Sequence, residues 1–198
     1  QASITYVKNK KKDCAEVGIE CEIFYLSAND LDEAIRLANL YYDAVICQLP
    51  LADDADASKA LKAINKHKDV DGFNSDEFDA CTPMGIMELL ALYDIDVSGK
   101  HCVIVGRSDI VGKPLAKMML NADATVTVCH SKTKNLSEIT KMADILVVAV
   151  GKEKFITGDM VKDDVVVVDV GINRDEHGKL CGDVDFDSVV DKASYISP

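Results

Sequence analysis

Tyr6 and Lys10 stand four residues apart in a segment with helical patterning, so one helix face carries both a phenol and an amine. Such a pair can handle protons. Lys8, Lys11 and Lys12 crowd Lys10 with like charge, the setting in which an amine gives up a proton and serves as a base. Taken alone, the segment reads better as a solvated basic helix face. Gln48 closes a short apolar run at Gln48-Leu-Pro-Leu51, where its amide can orient a reacting group or merely cap a turn. Lys68-Asp-Val-Asp-Gly72 brings Asp69 and Asp71 to a glycine turn; the bland alternative is an acidic surface turn. The remainder of an EF-hand loop is absent, which argues against calcium.

A second group of residues suits a phosphate. Val103-Ile-Val-Gly-Arg-Ser-Asp-Ile-Val-Gly112 reads as a strand, a turn and a helix start. Such a turn presents backbone N–H groups and a positive helix end to an anion. The usual dinucleotide fingerprint is GxGxxG. Here Gly106 ends the strand, Ser108 replaces the middle glycine, and the third glycine is displaced to Gly112, where the helix must pack closely. Either the dinucleotide lies further from this turn, or Arg107 and Ser108 touch it directly. By itself the loop is equally a plain strand-to-helix turn.

The tip of the next strand discriminates further. In NAD sites an acidic residue about 20 positions on holds the ribose 2′-hydroxyl. Here Thr125–Cys129 runs into His130-Ser131-Lys132-Thr133, with no carboxylate. A hydroxyl and a lysine at that tip, with Arg107 in the preceding turn, suit a 2′-phosphate and so favour NADP over NAD; a solvated polar loop is the alternative. In open α/β sheets ligands bind beyond the carboxyl ends of strands. Gly171-Ile172 is therefore expected at the nicotinamide end and Val150-Gly151 along the adenosine-to-pyrophosphate stretch.

These residues need a frame. Strand-length apolar runs alternate with helix-period segments, the pattern of an α/β fold with a mostly parallel sheet. Expected helices cover 5–17 (stopped by Gly18), 30–40, 57–65 and 82–93, the last opened by Thr82-Pro83. Expected strands cover 21–26, 44–47, 101–105, 125–129, 145–150 and 165–170. The last three are nearly continuous in Val, Ile, Leu and Ala, as strands covered on both faces are. The domain boundary is expected between Tyr93 and Ser98.

Composition narrows the function classes. A chain of 198 residues with 48% hydrophobic residues can bury a sizeable core. Its formal net charge of −12 argues against nucleic-acid or anionic-membrane partners. No apolar run approaches the roughly 18 residues of a membrane span, and no signal-peptide pattern is visible, although the chain opens at Gln1 without methionine. Seven dispersed cysteines, without CxxC or metal-type spacing, fit a reducing cytoplasm and speak against a resident metal.

Taken together, the sequence resembles the bifunctional methylenetetrahydrofolate dehydrogenase/methenyltetrahydrofolate cyclohydrolase family. The resemblance rests on Tyr6-Val-Lys-Asn-Lys10, Gln48-Leu-Pro-Leu51, Lys68-Asp-Val-Asp-Gly72, Cys81-Thr-Pro83, Val105-Gly-Arg-Ser-Asp-Ile-Val-Gly-Lys-Pro114, Cys129-His-Ser-Lys-Thr133, Asp169-Val-Gly-Ile-Asn173 and Gly182-Asp-Val-Asp-Phe186. Each is weak alone; their shared order along nearly the whole chain is specific. The resemblance implies two α/β domains: a catalytic, folate-binding domain over 1–93 and a Rossmann-type NADP-binding domain over 94–185. Residues 186–198 would begin the return to the catalytic domain. It implies Lys10 as the catalytic lysine, Tyr6 and Gln48 as residues that tune and orient it, and Asp71 as the contact to the pterin. It implies Gly106, Arg107, Ser108, Ser131 and Ile172 as NADP contacts.

The implied chemistry is oxidation of 5,10-methylenetetrahydrofolate to the methenyl form, then hydrolysis to 10-formyltetrahydrofolate, a one-carbon donor for purine biosynthesis. A homodimer joined through the nucleotide-binding domains is implied as well. The family pattern also contains a helix and strand ahead of the position of Gln1, a longer stretch between Gly72 and Cys81, and a glycine-rich segment beyond Pro198. The N-terminal part of the catalytic domain is therefore expected to be missing from this sequence. PCTP reads Ala80-Cys-Thr-Pro83 here, and QLPLP ends in Ala52. The alternatives are a dehydrogenase-only relative, separable by cofactor preference and a methenyl-hydrolysis assay, and a non-catalytic nucleotide-binding protein, against which Tyr6, Lys10, Gln48 and Asp71 speak.

Overall fold

The structure, a computed structural model, describes residues 2–75 and 77–198, which divide into two compact units meeting between Asp79 and Ala80.

In the first unit, helix α1 (Ala2–Glu16) ends where the sequence places its stop signal. Gly18 takes a φ of +78°, and the Ile19 and Gly18 N–H groups bond back to Cys14 (2.8 Å) and Ala15 (3.3 Å), a glycine-closed helix end. A short 3-10 turn over Ala28–Asp30 leads into α2 (Leu31–Tyr41), and α3 (Ala57–Ala63) is capped by Asp56, which accepts from the Lys59 N–H. Ile35, Cys47, Ala60, Leu61 and Ile64 form the core of this unit.

The two strands expected here differ in the structure. Residues 21–26 carry no regular element, and 44–47 contribute only a single parallel bridge between Val45 and Asp69. Apolar alternation gives a segment a face, but a strand exists only with a ladder partner. Phe24 instead meets Tyr42 edge-on at 5.9 Å, while Tyr25 stays exposed.

The second unit contains α4 (Cys81–Leu92), β1 (His101–Val105), α5 (Gly112–Asn121), β2 (Thr125–Cys129), α6 (Leu136–Thr140), β3 (Ile145–Val148) and β4 (Val165–Asp169). There follow a two-stranded hairpin of β5 (Asn173–Arg174) with β6 (Leu180–Cys181), helix α7 (Phe186–Val189) and β7 (Ala193–Ile196). Five strands form a parallel sheet in the order β2-β1-β3-β4-β7. Successive strand residues point to opposite faces. Cys102, Ile104, Ile145 and Val147 pack with Ile86, Leu90, Leu115 and Met119 of α4 and α5. Val103, Val105, Leu146 and Val148 pack on the opposite face with Ile156, Val161 and Val189. The continuous apolar runs of β1, β3 and β4 follow from this double cover, whereas β2, also expected to be covered on both faces, is an edge strand that is mostly half-buried.

Two boundaries lie elsewhere than the sequence suggests. Helix α4 packs into the core of the second unit, so the division falls ahead of it, not at Tyr93. Residues 186–198 belong to the second unit: their β7 pairs with β4, and the Ser197 hydroxyl accepts the Asp169 N–H at 2.8 Å. With β7 in place, β4 becomes an inner strand with ladder partners on both sides, as the burial of Val165, Val167 and Val168 requires. Among the described residues no helix is long and apolar enough to cross a membrane.

Candidate functional site

Lys10 lies on α1 with Tyr6 one turn before it. Its ammonium donates to the Asp71 carboxylate at 3.2 Å, joining the two ends of this unit's sequence. The like charges that crowd Lys10 in the sequence are thus answered by a carboxylate in space. Lys12 pairs instead with Glu16 at 3.4 Å. The Lys10 side chain is 38% exposed and that of Asp71 14%, so the pair opens to solvent from the lysine side. Tyr6 is 60% exposed, leaving its phenol accessible.

Asp71 is held in place from both sides of its turn. Lys68 donates to the carbonyls of Asn39 (2.8 Å) and Tyr42 (2.7 Å), closing the carboxyl end of α2. Asp69, fully buried, accepts the Asn74 N–H at 2.5 Å, and the Val45 N–H donates to the Lys68 carbonyl at 2.7 Å. Lys68 and Asp69 therefore anchor the turn, leaving Asp71 to face Lys10.

Gln48 donates from its amide nitrogen to the Leu49 carbonyl at 2.8 Å, ahead of the cis Leu49-Pro50 bond. Its amide oxygen is buried and has no partner among the described residues. An acceptor left open in this way is suited to a donor on a bound molecule. Neighbouring Cys47 is buried, and its thiol is pushed up first by burial and then by the negative charge of Asp71. It is a small apolar wall beside the carboxylate, a role that sequence reasoning missed because a lone cysteine in an apolar run carries no distinguishing signal.

In the second unit, Gly106 ends β1 with a φ of +131°, and a Cβ there would lie 2.2 Å from the Ala149 carbonyl oxygen. A Cβ on Gly112 would meet the Gly106 carbonyl oxygen at the same 2.2 Å. Both glycines are required by backbone-to-backbone approach, which brings the start of α5 against the turn.

Ser108 resolves the irregular fingerprint. Its hydroxyl oxygen accepts the N–H groups of Val111 (3.1 Å) and Gly112 (3.4 Å) at the entrance to α5. The side chain thus satisfies helix-end donors that a GxGxxG turn would leave to the phosphates, while its own O–H remains available to donate. Arg107 and Ser108 are exposed at the turn.

At the tip of β2, the His130 N–H donates to the Thr133 hydroxyl at 2.9 Å, and the Lys132 N–H to His130 Nδ1 at 3.1 Å. Ser131 and Lys132 project outward from this tight turn, and no carboxylate stands at the tip. Ile172, 79% exposed, follows β4. Gly106, Arg107, Ser108, Ser131 and Ile172 thus all lie after the carboxyl ends of the parallel strands β1, β2 and β4, the edge where open sheets bind ligands.

Two further carboxylates, Asp169 and Asp183, lie at this same edge and accept three and four hydrogen bonds. The motifs Asp169-Val-Gly171 and Gly182-Asp183 contain the signal for them, because each pairs an acid with a glycine. Among the described residues no group of three or more His, Cys, Asp or Glu side chains could hold a metal ion. All seven cysteines are unpaired.

Comparison with known proteins gives a consistent result across the chain. Residues 1–71 match the tetrahydrofolate dehydrogenase/cyclohydrolase catalytic domain model, and residues 80–198 match the NAD(P)-binding domain model of the same name. The chain is similar to the bifunctional protein FolD of Lachnoclostridium phytofermentans, with 50% identity over 100% of this chain and 76% of the relative. Similarity to FolD of Bacillus anthracis is 47%, over 100% of this chain and 74% of that protein. Among solved structures, the Campylobacter jejuni methylenetetrahydrofolate dehydrogenase/cyclohydrolase superposes with a TM-score of 0.89 at 46% identity, covering 100% of this chain and 76% of the other. The Trypanosoma brucei enzyme, solved with NADP cofactor and an inhibitor, gives a TM-score of 0.86 at 32% identity over 100% and 75%.

Proposed function

Because the chain belongs to the tetrahydrofolate dehydrogenase/cyclohydrolase family, we propose that it oxidises 5,10-methylenetetrahydrofolate with NADP and hydrolyses the resulting methenyl form to 10-formyltetrahydrofolate. The observation that carries this reading is the Lys10–Asp71 pair, a proton-handling cation held by a carboxylate in the same unit as the open acceptor of Gln48.

The residues at the strand ends fit the dinucleotide. Gly106 and Gly112 keep the turn flush, Ser108 and Arg107 offer a hydroxyl donor and a cation to phosphate, and Ser131 with Lys132 suits the 2′-phosphate. NADP supplies the hydride acceptor for the methylene carbon that bridges N5 and N10. Ile172 offers an apolar surface at the nicotinamide end.

Hydrolysis then needs proton transfer and no metal, since the methenyl carbon is already electrophilic. The water oxygen bonds to that carbon, the bond to N5 breaks, N5 keeps one proton and a second leaves. Lys10 handles these protons, with Asp71 holding both the ammonium and the pterin and Tyr6 and Gln48 orienting the reacting atoms.

The reaction is placed in the cytoplasm, supported by seven unpaired cysteines, with the product available for purine biosynthesis and the protein acting as a homodimer through its nucleotide-binding unit. Light scattering of the purified protein tests the dimer. The activity is tested by adding methylenetetrahydrofolate with NADP or NAD and following reduced dinucleotide and methenyl decay separately. NADP-dependent reduction followed by methenyl loss is expected. Reduction without enzyme-dependent methenyl loss would leave a dehydrogenase only, and neither reaction would remove the reading.

A further inference from the structure

Asp183 is fully buried, yet no cation touches it among the contacts of the described residues. Its carboxylate accepts four hydrogen bonds. Oδ2 takes the N–H groups of Val150 (2.6 Å) and Gly151 (3.0 Å), and Oδ1 takes the Lys152 N–H (2.7 Å) and the Asn173 side-chain amide (2.8 Å). Three successive N–H groups converging on one anion form a backbone nest, made possible by the φ of +64° at Gly151. This nest follows β3, at the edge where the dinucleotide is placed.

Asp169 supports Asp183 from behind. It accepts the N–H groups of Gly171 (2.9 Å), Asp183 (3.0 Å) and Val184 (2.8 Å). The two acids fit over each other's glycines. A Cβ on Gly171 would lie 2.3 Å from the Asp183 carboxylate, and one on Gly182 would lie 1.8 Å from Asp169 Oδ2. The motifs around residues 169–173 and 182–183 are therefore the halves of one lock. It ties the segment after β3 to the segment after β4, which bears Ile172.

We propose that Asp183 is a positioning residue for the cofactor. Its carboxylate occupies the nest after β3 as a built-in anion and holds Ile172 and Gly151 at the spacing a bound dinucleotide needs. With the nest filled, the loop after β3 is closed to phosphate, and the pyrophosphate is left to the Arg107-Ser108 turn. This inference rests on the NADP reading given above.

Asp183→Asn tests it, because the amide has nearly the same shape but turns one acceptor oxygen into a donor facing N–H groups. The dissociation constant of NADPH, read directly by fluorescence, is expected to rise at least tenfold, with the KM for NADP rising more than kcat falls. Asn173→Ala removes a single donor and leaves the nest filled; a rise of about two- to fivefold is expected from the loss of one hydrogen bond. Wild-type NADPH affinity in Asp183→Asn, or a lowered melting temperature with unchanged affinity, would overturn the proposal. Should Asp183→Asn not fold, wild-type affinity in Asn173→Ala overturns it alone. Failure of the unmodified protein to bind NADPH would instead remove the NADP reading on which the inference stands.

Discussion

The Lys10 ammonium and the Asp71 carboxylate meet at 3.2 Å although 61 positions separate them in the chain. Asp71 reaches this place because Lys68 and Asp69 pin the turn that carries it. The pair defines one testable centre of the proposed chemistry.

Lys10→Met removes the ammonium while keeping an unbranched chain of similar length on α1. Methenyl hydrolysis is expected to fall by about two to four orders of magnitude, the range a positioned proton-transfer group contributes. NADPH binding should stay at the wild-type level. Enzyme-dependent methenyl hydrolysis at the wild-type rate would remove Lys10 from the mechanism.

Asp71→Ala leaves Lys10 without its partner and, on the proposed reading, the pterin without its acceptor. The KM for folate should rise about tenfold or more, equivalent to roughly 1.4 kcal/mol, in line with one charge-assisted hydrogen bond. Asp71→Asn should lie between the two, since an amide still accepts one bond. Equal KM values across the series would contradict the contact.

Glycine substitutions separate required from incidental sites. Gly112→Ala places a methyl 2.2 Å from a backbone oxygen, so a loss of about 1–3 kcal/mol is expected together with weaker NADPH binding. Gly85→Ala, inside α4 with nothing within 4 Å of the new Cβ, should stabilise by about 0.5–1 kcal/mol. Thermal unfolding of both variants checks the contrast; shifts of the same sign would refute it.

Asp144 gives a pH signature. A hydrogen bond from Lys162, then one from the His101 N–H, holds its carboxyl below the ordinary value of 3.8. A depressed folded-state value means that the stabilisation is present above the ordinary value and is lost as pH falls through the lowered one. The side chain is 39% exposed, so the contribution is screened to a few tenths up to about 1 kcal/mol. Asp144→Asn should melt lower than wild type at neutral pH and converge with it in acid, once the pH has fallen below the lowered folded-state value. A gap that persists in acid would assign the loss to packing.

Thiol reactivity should follow burial. The Cys102 thiol is fully buried and pushed up to about 12, and Cys129 is also raised by burial, while Cys81 is exposed. Alkylation of the native protein, read by peptide mass, should label Cys81 early and spare Cys102 and Cys129 until unfolding. Early labelling of Cys102 would mean that β1 opens locally.

The sequence by itself determined the parallel sheet, because runs such as Val165-Val-Val-Val168 can be satisfied only between two covering layers. It also determined the glycines of the nucleotide turn and the lack of a carboxylate at the β2 tip, since those are local properties of residue type. Other things were decided only in three dimensions. Asp71 answers the lysine cluster across the fold, Ser108 turns back to cap α5, and α4 and β7 join the second unit. The reciprocal fit of Asp169 over Gly182 and Asp183 over Gly171 is of the same kind. Sequence spacing describes neighbours along the chain, whereas a carboxylate's partner is whichever donor the packed backbone brings within about 3 Å.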